Sequence, residues 1–144
     1  MRALFLGAFV FLVGVLSAGH CLAAGQPRVP REFIPYFERA AARYDVPVGA
    51  LYSISYVESG FKPWAMNVAG RPVFFKSREE TVAAVRYLLS IGHKNFDTGL
   101  MQINVQWIRR YNICPELIVD PGFSTLLGAR VVHGAISQNG ADWK

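Results

Sequence analysis

Val48-Gly49-Ala50-Leu51-Tyr52-Ser53-Ile54-Ser55-Tyr56-Val57-Glu58-Ser59-Gly60 reads as one apolar helix that closes on an acid. Pro47 suits the first turn of such a helix, because proline has no N–H to lose there and its φ is already helical. Val48, Leu51 and Ile54 fall on one stripe, and Glu58 stands two turns beyond Leu51, so the acid is expected to continue the buried face. Gly60 and Pro63 stop the helix and leave Glu58 in its last turn, among carbonyls without partners. Burial and a helix C-terminus both disfavour a carboxylate and push its pKa above the ~4.3 of a free glutamate. Glu58 is therefore a candidate proton donor, set against the plainer alternative of a solvated residue at a helix end.

Further along, Gly99-Leu100-Met101-Gln102-Ile103-Asn104 follows the polar turn Asn95-Phe96-Asp97-Thr98. Gly99 would let backbone approach a ligand closely, Gln102 can both donate and accept, and Met101 lines the site or else fills the core. Asp97 reads as an aspartate bonding its own turn. The remaining chain is helical in pattern. Phe33, Phe37, Ala40, Ala41 and Tyr44 recur at helical spacing. Ser77 with Glu80 forms a capping box ahead of Val82, Val85 and Leu89. Asn104 can cap a short helix carrying Trp107, Ile108 and Tyr111, whose aromatic residues read as core. Asp120-Pro121 opens a last helix that reaches Gln138 before Asn139-Gly140. No period-2 run of any length appears, so the expected fold is a single all-α domain.

At the N-terminus, Met1-Arg2, the apolar stretch from Ala3 to Leu16 and the small residues ending at Ala24 have the layout of a secretory signal peptide. The expected division is 1–24 as leader and 25–144 as the folded, exported domain. His20 before Cys21 argues against a lipid anchor at that cysteine. Cleavage after Ala24 would remove Cys21 and leave Cys114 alone, expected as a small buried core residue with no disulfide. His93 and His133 have no paired ligand spacing, so no metal and no cofactor are expected. The formal charge of +5 is spread over Arg28, Arg31, Arg39, Arg43, Lys62 and others, forming no run. Such spread charge suits a polyanionic envelope polymer or a solvated surface and does not suit nucleic acid.

Tyr56-Val57-Glu58-Ser59-Gly60-Phe61 and Thr98-Gly99-Leu100-Met101-Gln102-Ile103-Asn104 resemble, in order and spacing, the two signature motifs of soluble lytic transglycosylases. The likeness covers roughly Pro35 to Lys144 and is nearest to the small members that accompany secretion or conjugation systems. It implies a lysozyme-like fold, peptidoglycan glycan strands as substrate, periplasmic action, and cleavage of the β-1,4 bond between N-acetylmuramic acid and N-acetylglucosamine to leave 1,6-anhydromuramic ends. It implies further that Glu58 is acid and then base, that Ser59 orients Glu58 or the sugar, and that Met101 and Gln102 hold the N-acetyl region beside Gly99. Family members continue past the counterpart of Ala141-Asp142-Trp143-Lys144 into another helix, and the given sequence stops there. A lysozyme-type hydrolase and a non-catalytic peptidoglycan-binding assembly component are the competing readings.

Overall fold

The computed structural model describes residues 28–139. The leader expected at 1–24, Cys21, and the residues from Gly140 onward lie outside them. Six helices are seen among the described residues: α1 (Ile34–Tyr44), α2 (Val48–Ser59), α3 (Arg78–Ser90), α4 (Val105–Arg110), α5 (Pro115–Ile118) and α6 (Pro121–Asn139). The helix signals that can be read locally act where they were expected. Ser77 accepts from the Glu80 N–H, Asn104 from the Gln106 N–H and Asp120 from the Phe123 N–H. Pro47 sits one residue before α2, and the return bond of the capping box runs from Lys76 N–H to Glu80.

The all-α expectation is corrected by a small antiparallel sheet. Its strands are β1 (Ala65–Val68), β2 (Arg71–Phe74), β3 (Phe96–Thr98) and β4 (Ile103–Asn104), in the order β2-β1-β3-β4. These strands hold four, four, three and two residues, too few for an alternation to stand out in the sequence. Their pairing nevertheless obeys the period of two. Met66, Phe96, Thr98 and Ile103 turn to the core, and Asn67, Asp97 and Asn104 are cross-strand neighbours on the other face.

The core lies between α1, α2, α6 and the buried side of the sheet, with Phe37, Leu51, Met66, Phe96, Leu100 and Ile108 fully enclosed. Tyr36 lies against Gly122 and Tyr44 faces His133, so α1 and α6 run side by side in the same direction. The segment carrying α3 is clasped to α5 by Arg86 paired with Glu116 and by Arg78 donating to the Glu116 carbonyl. Cys114 is exposed at the start of α5, which corrects its expected burial: the N-cap of a short surface helix has no side chains packed over it. None of the helices among the described residues is long and apolar enough to cross a membrane.

Candidate active site

The buried face of α2 is made by Leu51, Ser55 and Ser59, one turn apart, and not by the stripe that would have carried Glu58 inward. Two serines can be buried there because they share an acceptor. Ser55 Oγ donates to the Leu100 carbonyl at 3.0 Å and Ser59 Oγ to the same oxygen at 2.8 Å. A buried hydroxyl without such a partner would be costly, so the Leu100 carbonyl decides which face of α2 turns in. Ser59, expected to orient the acid or the sugar, joins α2 to the loop behind the acid.

That loop is held from three sides. Gly99 N–H donates to the Ala65 carbonyl on β1 at 2.9 Å, Met101 N–H to Ser124 Oγ on α6 at 3.2 Å, and Leu100 receives the two serines of α2. Gly99 has φ +84°, and a Cβ there would stand 2.9 Å from Ser124 Oγ and 3.2 Å from the Ile118 carbonyl. The close approach that needs this glycine is thus to α6 and α5 of the protein itself, a correction of its expected ligand contact. Gly99→Ala combines a disfavoured φ with overpacking and is expected to cost roughly 2–4 kcal/mol, read as a lower urea midpoint at unchanged slope. Met101 is also settled by packing: it is buried, and three of its side-chain atoms fill the notch left by Gly128 on α6, so it belongs to the core.

Gln102 is half-buried at φ +47°, a left-handed conformation that side chains seldom adopt. Its Nε2 donates to the Ala65 carbonyl at 3.0 Å and to the Gly99 carbonyl at 2.9 Å. Because both partners are carbonyls, the amide orientation is fixed and both of its N–H groups are spent. What remains for a ligand is Oε1, an acceptor only.

Glu58 lies at the edge of this platform. The residue as a whole is exposed, while enough protein surrounds the carboxyl for desolvation to raise its pKa above the ordinary glutamate value. The charge of Asp97 raises it further. Asp97 is itself raised by burial, but the Asn104 amide donates to its Oδ1 at 2.8 Å and favours the ionised form. Among the described residues no donor serves Glu58 in the same way, and the α2 C-terminus adds its own negative end beside it. Burial thus raises both carboxyls, and of the two Asp97 has the donor that opposes the rise.

Asp97 and Asn104 are the site residues that local reading passed over. Asp97 was expected to bond its own turn, whereas its partner comes from β4 across the hairpin, and Asn104 serves both as the cap of α4 and as the clamp on Asp97. Among the described residues no three His, Cys, Asp or Glu side chains gather into a metal-binding group.

The family model described as Transglycosylase SLT domain matches residues 35–144, most of the chain and both halves of this site. Among curated proteins and among solved structures nothing matches.

Proposed function

From the premise that the chain belongs to the transglycosylase SLT domain family, we propose that it is a peptidoglycan lytic transglycosylase with Glu58 as its acid and base. The observation that carries the reading is the placement of the Glu58 carboxyl at the end of α2, where burial first and the charge of Asp97 second raise its pKa. Glu58 gives its proton to the oxygen of the β-1,4 bond between N-acetylmuramic acid and N-acetylglucosamine as that bond breaks. The Glu58 carboxylate then takes the proton of the muramoyl C6 hydroxyl, whose oxygen closes on the anomeric carbon to give the 1,6-anhydro end. No water enters the product, and the acid returns to its starting state. The 2-acetamido group assists from within the substrate, and Gln102, whose amide protons are bound to the Ala65 and Gly99 carbonyls, accepts from its N–H through Oε1.

The setting proposed for this activity is the periplasm, reached through the leader read at 1–24. Its use there would be local opening of the wall for a secretion or conjugation apparatus. Incubating purified peptidoglycan with the full chain and weighing the released muropeptides decides the chemistry. Anhydro ends are expected.

A second reading, a lysozyme-type hydrolase, is favoured by one observation: Asp97 supplies a second carboxyl within electrostatic reach of Glu58. Hydrolysis that retains or inverts configuration uses such a pair, one group as acid and the other as nucleophile or base. Reducing ends in the same muropeptide digest would select it and reject the transglycosylase.

A further inference from the structure

Beyond the carboxyl pair, α4 and α6 carry a cluster of a different kind. The rings of Trp107 and Tyr111 stack with their centroids 5.7 Å apart at 15°. Arg110 lies 6.0 Å from the Trp107 ring and 5.7 Å from the Tyr111 ring, and Arg130, from α6, lies 5.1 Å from the Tyr111 ring. Both arginines are exposed, and Tyr111 keeps 41% of its surface open. Trp107, expected in the core, is only half-buried.

The guanidiniums are held by ring faces and not by acids. Among the described residues the ion pair is that of Arg86 with Glu116, so Arg110 and Arg130 meet no carboxylate. A guanidinium near a ring keeps its N–H donors, and the exposed Arg110 and Arg130 present theirs to solution, where the fork fits a carboxylate. The neighbouring Arg109 is different, because it donates to the His93 carbonyl at 3.0 Å. Two exposed guanidiniums, one from α4 and one from α6, beside one aromatic pair make a cationic patch suited to a carboxylate carried on a sugar.

The cluster is joined through α4 to the residue that holds Asp97. Asn104, which holds Asp97, is the cap of the helix that carries Trp107 and Arg110. Arg110 stands six residues beyond it, a rise of about 9 Å.

We propose that Trp107, Tyr111, Arg110 and Arg130 form a subsite for the carboxylates of the peptide stems that branch from the muramic acid residues, so that the chain prefers peptide-bearing glycan to bare glycan. The inference rests on peptidoglycan being the substrate. A lipid surface is the competing occupant, and the vesicle arm of the test separates it from the stem contact.

The test is co-sedimentation of the full chain with insoluble peptidoglycan, intact or stripped of its peptide stems by an amidase, together with vesicles of anionic phospholipid. The wild type is expected to bind intact material more tightly than stripped. Replacing both Arg110→Gln and Arg130→Gln is expected to weaken binding to intact material on the order of tenfold or more and to erase the preference. On soluble peptide-bearing fragments the same variant raises KM and keeps kcat, and a pair of Arg→Lys changes restores part of the binding through charge alone. A thermal melt matching the wild type excludes loss of fold. Equal binding of wild type and variant to intact material overturns the subsite, as does equal wild-type binding to intact and stripped material, or a loss confined to vesicles. Anhydro ends are scored separately: if none form, the transglycosylase reading falls while the binding comparison still decides the stem contact.

Discussion

Glu58→Gln is expected to abolish release of muropeptides, a loss on the order of 10²–10⁴-fold or more, at every pH. The amide keeps the shape and polarity of the side chain and removes the proton that the glycosidic oxygen must receive. No other group in the site can take over. Asp97 accepts from the Asn104 amide, which favours its ionised form, and the hydroxyl of Ser59 is buried and donates to the Leu100 carbonyl. The variant should also be at least as stable as the wild type. A carboxyl whose pKa is raised by folding binds its proton more tightly in the native state. Its stabilising contribution is therefore complete below the unfolded value and is lost as the pH rises through the folded value. Above the unfolded value the raised pKa of Glu58 is a net burden on the fold, and the uncharged amide relieves it. The expected pairing is a melting temperature unchanged or higher at pH 7 with no product. Residual turnover near the wild-type rate would remove Glu58 from the mechanism, and a lowered melting temperature would show that the side chain has a structural role not seen in its contacts.

The trade between stability and chemistry is visible in how the site is built. The platform behind Glu58 is bonded from three elements, and its strained Gln102 is anchored by both amide protons. The acid itself has no such support. Unfavourable placement of a single group is tolerated because the loop around it is over-determined.

Much of this was legible along the chain, and what was not has a common cause. The caps at Ser77, Asn104 and Asp120, the apolar spacing of α1 and the two motifs around Glu58 and Gly99 act through residues a few positions apart. The face that α2 buries depends on the Leu100 carbonyl, more than forty residues away, which makes Ser55 and Ser59 cheap to bury and leaves Glu58 outward. Hydrophobic periodicity has no means of seeing that acceptor. The sheet was missed for a similar reason: β1 pairs with β3 across the whole of α3, and its site face is made of Asn67, Asp97 and Asn104, which look like turn residues when read one strand at a time. Met101 and Gly99 were read as ligand contacts because they flank the site in sequence, whereas α6, a distant helix, claims both.

Asp97→Asn is expected to move the pH profile. Glu58 must be protonated to start the reaction, so activity falls on the alkaline side as Glu58 ionises, and the position of that limb reports its pKa in the free enzyme when kcat/KM is plotted. The charge of Asp97 raises the Glu58 pKa, and removing it lowers that value. The alkaline limb should therefore shift to lower pH, with rates near the wild type in the acid range and a growing deficit toward and above neutrality. Asn104→Ala is the partial case. Without the amide that favours its ionised form, Asp97 stays protonated to higher pH, so in the range where it remains neutral its influence on Glu58 is withdrawn and the profile moves in the same direction as in Asp97→Asn, but only there. A hydrolase that uses Asp97 as nucleophile or base behaves otherwise: Asp97→Asn then lowers the rate by orders of magnitude at all pH values, with no limb left to shift. The two outcomes separate an electrostatic neighbour from a reacting group. An unaltered profile at an unaltered rate would mean that Asp97 does not act on the acid at all.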